Sequence, residues 1–285
     1  MNTPPAHPET IFPYPAKHEE RGVPCYHPDV AHAQEDYPEE VFARLVELED
    51  GHFWFEARNE ALQLILSRNL PDKGRVSFLE VGCGTGFVLR MIRSIPGLLC
   101  AGAEVHVEGA VQSKSRLPDS EIVQLDVLRM EFTGAFDAVG AFDVIEHLDD
   151  DVRALSRLRE SLRAGGMCFI SVPQHQWLWS AQDEVAGHKR RYTRRMLNAS
   201  FHSAGFEAVE MTSFCSVLLP FFAVSRLIKR KKVEDVSNWL LDEFVLPAGL
   251  NTLFRALLKI DILLIRLGFS LPFGGSLLAV ARRTD

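Results

Sequence analysis

From Tyr37 to Leu70 the apolar residues recur at helical spacing, with Val41, Leu45 and Leu48 in one stretch and Phe53, Trp54, Leu62, Ile65 and Leu66 in the next. That pattern predicts two amphipathic helices divided near Gly51. Beyond Pro71 the period changes. Short β-rich runs at 76–81, 99–105, 122–125, 136–142, 167–172 and 206–211 alternate with amphipathic stretches, which predicts a parallel sheet covered by helices on both faces. A final apolar run at 276–281 is expected to return as an antiparallel strand. The fold class expected is α/β, a Rossmann-like sheet of seven mostly parallel strands with the last antiparallel and a helical insertion over 214–273 in front of it.

Residues 1–38 break this regularity. Pro4, Pro5, Pro8, Pro13, Pro15, Pro24, Pro28 and Pro38, mixed with His and Glu, deny the stretch either period and leave it little to bury. It is expected to be a mobile arm, followed by N-terminal helices over 39–70 and the main domain over 71–285. Tyr14 or Tyr26 closing over a ligand is the functional version of that arm.

Composition narrows the classes. The chain has 285 residues, 47% of them hydrophobic, which is enough for one α/β domain with an elaboration. Its formal charge is −7 and the bases are scattered apart from Arg226 and Lys229 to Lys232, so extended nucleic acid is not an expected partner. Five cysteines lie far apart with no C-x-x-C pair, which argues against a zinc ribbon or a secreted disulfide frame and makes the reduced cytoplasm the expected location. No basic region followed by an apolar core and a cleavage site is read at the N-terminus.

The candidate chemistry begins where Phe78-Leu79-Glu80-Val81 runs into Gly82-Cys83-Gly84-Thr85-Gly86 and then a helix from Phe87. Glycine lets a backbone turn sharply and approach a ligand within van der Waals reach. A tight turn or a dinucleotide loop would use similar residues, so three acids sharpen the reading. Glu80 is a poor neighbour for a pyrophosphate and a good one for ammonium and sulfonium groups. Glu104, some twenty residues past the loop at the next strand end, suits two ribose hydroxyls, and Asp126 at the third strand end suits an adenine amino group. Each acid alone reads equally well as a solvated loop residue. At successive strand ends, together, they describe a nucleoside pocket.

These stretches resemble the class I S-adenosylmethionine-dependent methyltransferases motif by motif. Leu79 to Gly86 is similar to the first motif of that family, Gly102-Ala103-Glu104-Val105 to its second, Gln124-Leu125-Asp126-Val127 to its third and Phe136-Asp137-Ala138-Val139 to its fourth. The resemblance spans 76 to about 212 and implies S-adenosylmethionine as cofactor. It places Gly82, Cys83, Gly84, Thr85 and Gly86 at the methionine and ribose, Glu104 and Val105 at the ribose, Asp126 and Val127 at the adenine, and Phe142 or Asp143 at the sulfonium. His52 to Arg58 looks like the leading helix of that family, in which an arginine holds the cofactor carboxylate; Arg58 takes that role here with Trp54 on the same helical face. A plain surface arginine is the alternative.

Methyl transfer is a direct displacement in which the protein aligns the acceptor and excludes water, and a base helps when the acceptor is a hydroxyl or an amine. His147, just past the fourth strand, and His188 are the candidate bases; Trp177, Trp179 and Tyr192 around His188 read as walls of an acceptor pocket. Asp143, Glu146, His147 and His188 also resemble the metal set of small-RNA 2'-O-methyltransferases and of the ubiquinone-biosynthesis O-methyltransferases, with Asp143 standing where those enzymes carry Glu. Metal-free catalysis is the reading taken first, and a purely structural role, with His147 capping the next helix, stands next to it ahead of the metal.

In the insertion, Arg255, Lys259, Ile262 and Arg266 share one side of a helix while Leu257, Leu258, Ile260, Leu264 and Ile265 cover most of the rest. That apolar face is wider than packing on one partner needs. It packs on its own domain, forms an oily lid over the acceptor, makes a peripheral membrane contact with help from the basic cluster, or meets a second copy. The lid and membrane readings suit a small lipophilic or lipid-linked acceptor. Two rivals stand beside the methyltransferase: a nicotinamide-dependent oxidoreductase, which needs its third glycine one position later, and a binding protein that keeps only the fold.

Overall fold

A computed structural model describes residues 10–32, 39–72, 74–228 and 246–285. The strand that carries the glycine loop, β3 (Val76–Val81), is buried along nearly its whole length because it is covered on both faces, and Ser77 and Glu80 are its two polar residues. It lies at the centre of the sheet, parallel to β4 (Leu98–Glu104) on one side and β6 (Phe136–Phe142) on the other. β5 (Glu121–Gln124) continues beyond β4, and β7 (Leu162–Pro173) beyond β6. The last strand in the chain, β9 (Ser276–Arg283), is antiparallel to both of its neighbours, β7 and β8 (Phe206–Phe214). The sheet order reverses at β3, so the crevice outside the carboxyl ends of β3, β4 and β6 is where such a sheet takes a ligand.

Alternate residues along the strands enter two separate cores. Phe78, Ala138 and Phe169 face one with Ala61, Leu62 and Ile65 of α2 (Phe53–Asn69) and Leu89 of α3 (Phe87–Arg93). Leu79, Val139 and Ile170 face the other with Leu155 and Leu158 of α5 (Asp151–Ser161) and Leu197 and Phe201 of α7 (Arg194–Ser203). The result is the expected three-layered α/β sandwich. The two helices predicted around Gly51 are α1 (Glu39–Glu49) and α2. Asp150, rather than His147, caps α5: its carboxylate accepts from the backbone N–H of Arg153 at 2.9 Å.

Among the described residues the sheet has nine strands, not seven, because residues 10–32 are built into it. β1 (His18–Glu20) and β2 (Val23–Cys25) form a small antiparallel hairpin whose second strand lies beside β5, and Tyr26 donates its backbone N–H to the carbonyl of Gln124 at 2.9 Å. Prolines hid these strands, each only three residues long, which is too short for any period to show. Phe12 is buried, and Tyr14 and Tyr26 stack edgewise on Phe132, so the segment expected to be a mobile arm brings its own aromatic anchors. Both tyrosines are committed to that cluster. Residues 1–9 and 33–38 of the expected arm lie outside the described residues.

The insertion contains α8 (Leu219–Ile228) and a long helix, α9 (Ala248–Arg266). α9 packs on α2: Phe53 meets Phe254 with ring centres 5.3 Å apart, Asn251 accepts from the N–H of Phe53 at 2.8 Å, and Arg68 donates to the carbonyl of Ile265 at 3.0 Å. Leu258, Ile262 and Ile265 are buried, so Ile262 belongs to the inner face and not to the polar side. The outer side keeps Leu253, Ile260, Leu263 and Leu267 exposed. No helix of the described residues is long and apolar enough to cross a membrane. The basic cluster at Lys229 to Lys232 lies outside the described residues.

Candidate active site

The glycine loop leaves β3 with Gly82, Gly84 and Gly86 all at positive φ. A Cβ on Gly82 would collide with the side chain of Val144, whereas one on Gly84 (φ 51°) would meet nothing within 4 Å. The loop is therefore packed against β6 at its start and open at Gly84, where a ligand can approach bare backbone. Gly84 donates its N–H to Glu104 Oε2 at 2.8 Å, and the other oxygen of Glu104 accepts from the N–H of His106 at 3.1 Å. The carboxylate of β4 thus points at the loop and not away from it.

Glu80 is almost completely buried, and its Oε2 has no hydrogen-bond partner. Burial pushes its carboxyl well up, Arg58 pulls against that rise, and Glu104 and Glu49 add to it. Arg58 is no surface residue: it is buried, lies over the ring of Trp54 at 4.6 Å and pairs with Asp143. Asp143 follows β6 with φ 56°, an uncommon conformation for a residue with a side chain, held here by that ion pair. Asp126 accepts from the N–H of Leu128 at 2.9 Å, and its own N–H donates to Nδ1 of His27 at 3.1 Å. The N-terminal segment is thereby tied to the third strand tip, a link that sequence reasoning missed because His27 sits among prolines without a pattern.

Other expected residues are placed differently. Phe142 is buried in the core beside Phe78, so its ring does not face the crevice. Cys83 turns inward, with Sγ 3.7 Å from the hydroxyl of Ser113, and burial pushes its thiol well up; only its backbone is available to a ligand. The Thr85 hydroxyl is committed to Glu49 of α1 at 2.7 Å, and Arg116 closes the triangle, 2.7 Å from Glu49 and 2.9 Å from Thr85. Val105 stands half-buried beside Glu104, and Val127 is buried. Phe42 of α1 lies against Gly109, with its ring 5.6 Å from that of His106, so α1 packs beside the tip of β4.

Past β6 a second cluster forms. Donor atoms of Glu146, His147 and His188 all lie within 4.8 Å of one another, and the two imidazole rings meet edge to face at 4.7 Å. Glu146 is completely buried and neither carboxylate oxygen has a hydrogen-bond partner. Burial, then the charge of Asp143, pushes its carboxyl well up. The three side chains fit a divalent cation by donor type and by the orphaned oxygens of Glu146. Asp143, expected as the first ligand of the set, is not in the cluster and pairs with Arg58 instead. Burial and then the neighbouring His188 hold His147 down to about 3, which leaves it a neutral and weakly basic ring.

Of the expected pocket walls, Tyr192 is buried and donates its hydroxyl to Asp151 at 2.8 Å, bracing α5 instead of lining a pocket. Trp179 is half-buried and sits 3.4 Å from Glu184 through its indole N–H. Trp177 is 56% exposed and stacks on His175 with ring centres 5.8 Å apart.

A family model described as a methyltransferase domain matches residues 54–211, just over half of the chain, and the chain belongs to that family. It is similar to a Mycobacterium tuberculosis protein named a probable S-adenosylmethionine-dependent methyltransferase, 26% identical over 168 residues that cover 58% of this chain and 60% of that one. It is also similar to trans-aconitate 2-methyltransferase of Deinococcus radiodurans, 27% identical over 157 residues, 51% of this chain and 58% of the relative. The matches span less than two thirds of these relatives. Among solved structures, phosphoethanolamine N-methyltransferase 2 of Haemonchus contortus with S-adenosyl-L-methionine shares the fold at a TM-score of 0.59 and 17% identity, over 88% of this chain and 59% of that one.

Proposed function

We propose that the chain transfers a methyl group from S-adenosylmethionine to a small acceptor bound beside His188. The observation that carries the reading is the open backbone at Gly84, with Glu104 aimed at it and the orphaned, buried Glu80 behind it. The glycine N–H groups and Glu104 would hold the ribose and amino-acid portion, Asp126 the adenine, and Glu80 and Arg58 the ammonium and carboxylate ends. An acceptor hydroxyl attacks the methyl carbon, the carbon–sulfur bond breaks with its electron pair left on sulfur, and the acceptor proton passes to His188. Calorimetry with S-adenosylmethionine and with NADH tests the cofactor. Uptake of the first alone is expected, and binding of NADH alone would reverse the assignment to an oxidoreductase.

The acceptor is proposed to be lipophilic or lipid-linked, presented at a peripheral membrane contact. Phe221 and Val224 of α8, Leu253, Ile260 and Leu263 of α9, and Phe269 and Phe273 before β9 are all exposed, as is Trp177. Such a concentration of apolar side chains on one insertion suits an oily ligand or a lipid surface. Sedimentation with phosphatidylglycerol vesicles is expected to carry the protein down. A protein that stays in the supernatant, and whose co-purified ligand proves polar, would remove this part of the reading.

A second reading is favoured by the orphaned oxygens of Glu146. Glu146, His147 and His188 would hold a divalent cation, which when bound would polarise an acceptor hydroxyl. Methyl transfer that survives exhaustive chelation would end it.

A further inference from the structure

The acceptor-side cluster contains one residue that neither the motifs nor the methyl-transfer reading uses. Asp183 lies in the short helix α6 (Ala181–Val185) and is fully buried. Its Oδ1 faces Nδ1 of His188 at 2.8 Å and Nε of Arg191 at 2.7 Å. Its Oδ2 accepts from Nη2 of Arg191 at 2.9 Å, from the N–H of Ser180 at 2.8 Å and from the Ser180 hydroxyl at 3.1 Å. The loop is tied down at both sides of the histidine: the N–H of His188 donates to the carbonyl of Asp183 at 2.8 Å, and the N–H of Lys189 to that of Glu146 at 2.7 Å.

We propose that Asp183 is a positioning residue that fixes the Nδ1–H tautomer of His188 and so leaves the lone pair on Nε2 for the acceptor bound beside the ring. The argument is one of donors and acceptors. A carboxylate with this donor set can only accept, so Nδ1 of His188 must carry the proton, and the lone pair of the neutral ring is then on Nε2. The ring stands edge to face with that of His147, and donor atoms of His188, His147 and Glu146 lie within 4.8 Å of one another. When Nε2 takes the acceptor proton, the imidazolium stays paired with a buried anion. A cation at the same nitrogen would gain the same orientation. The proposal rests on the methyl-transfer reading for its purpose, not for its geometry.

Long-range proton–nitrogen NMR on protein labelled with 15N-histidine reads the tautomer directly, with His188→Gln assigning the signals. Wild type is expected to show His188 protonated at Nδ1 and bare at Nε2. In Asp183→Asn the amide nitrogen is best accommodated at the Oδ1 position, since three donors face Oδ2. It would there donate to Nδ1, and His188 is expected to move to the Nε2–H tautomer with S-adenosylmethionine affinity kept within about twofold. A brace that acts only through Arg191 predicts a lower Tm with unmoved His188 signals, and that outcome overturns the proposal. So does a wild-type His188 protonated at Nε2, which needs no variant to fold. Failure of the methyl-transfer reading is distinguishable, because it appears as absent cofactor binding in calorimetry while the tautomer stays as stated.

Discussion

The two halves of the site are built by different means. On the side proposed for the cofactor the parts are strand tips and bare backbone: Gly84 with its open approach, Glu104 aimed at the loop, and Asp126 one strand further out. Each lies next to its motif in sequence, and the sheet brings them into register. On the side proposed to take the acceptor the parts come from two loops about forty residues apart, and a network of Asp183, Arg191 and Ser180 engages a single imidazole. A backbone cradle is fixed as soon as the sheet forms. A side-chain cluster is fixed only when every donor has found its acceptor, which leaves its specificity free to change while the cradle stays the same.

That contrast can be broken most sharply at the ends of each half. The largest effect is expected on turnover for His188→Ala, a loss on the order of 10²–10⁴ for removal of a general base, with S-adenosylmethionine affinity unchanged; it is measured on an acceptor identified from co-purified density. Full retained activity would take His188 out of the mechanism. Next, Gly84→Val should weaken cofactor binding on the order of 100-fold, about 2.7 kcal/mol, because the side chain fills the space open at that position. Its left-handed backbone adds a stability cost of about 1–2 kcal/mol. Unchanged affinity in calorimetry would mean that the ligand sits elsewhere.

Glu104→Ala removes a charged acceptor and should cost cofactor affinity about 1.5–3 kcal/mol, with less effect on turnover at saturating cofactor. Equal losses in both would blur the division between the halves. The smallest effect is on stability against pH. The ordinary imidazole value is 6.5, and burial lowers His147 to about 3 in the folded chain. Between those values the unfolded state binds more protons, so stability falls as pH drops from 6.5 and levels off near 3. Asp183 adds a separate loss only between 3.8 and about 2. Urea denaturation of His147→Gln with a chelator present should show a shallower slope between pH 6.5 and 4.5, and an unchanged slope would show that the ring is not held neutral by burial.

Much of the cofactor half was legible without coordinates. Mainly apolar runs marked β3 and β6 as doubly covered strands, and the acids closing consecutive runs had to lie at one edge of a parallel sheet. The Asp183 network was not legible, because an acid in a loop beside a basic run looks like any solvated residue. The one signal that pointed to it is Ser180-x-x-Asp183, the spacing of a helix-capping box. Phe142 and Tyr192 were misjudged for a related reason: an aromatic near a strand end or loop fits a core or a pocket equally well until its neighbours are known.

The linear chain by itself determined the order of strands and helices, the place of the glycine turn and the acids that border it, since those depend on periods and neighbours a few residues apart. Tertiary structure alone decided that residues 10–32 extend the sheet, that Arg58 turns inward to Asp143, and that Asp183 takes hold of His188. Those contacts join residues whose separation carries no pattern. They exist only because burial makes every unpaired charge and donor costly enough to select one arrangement.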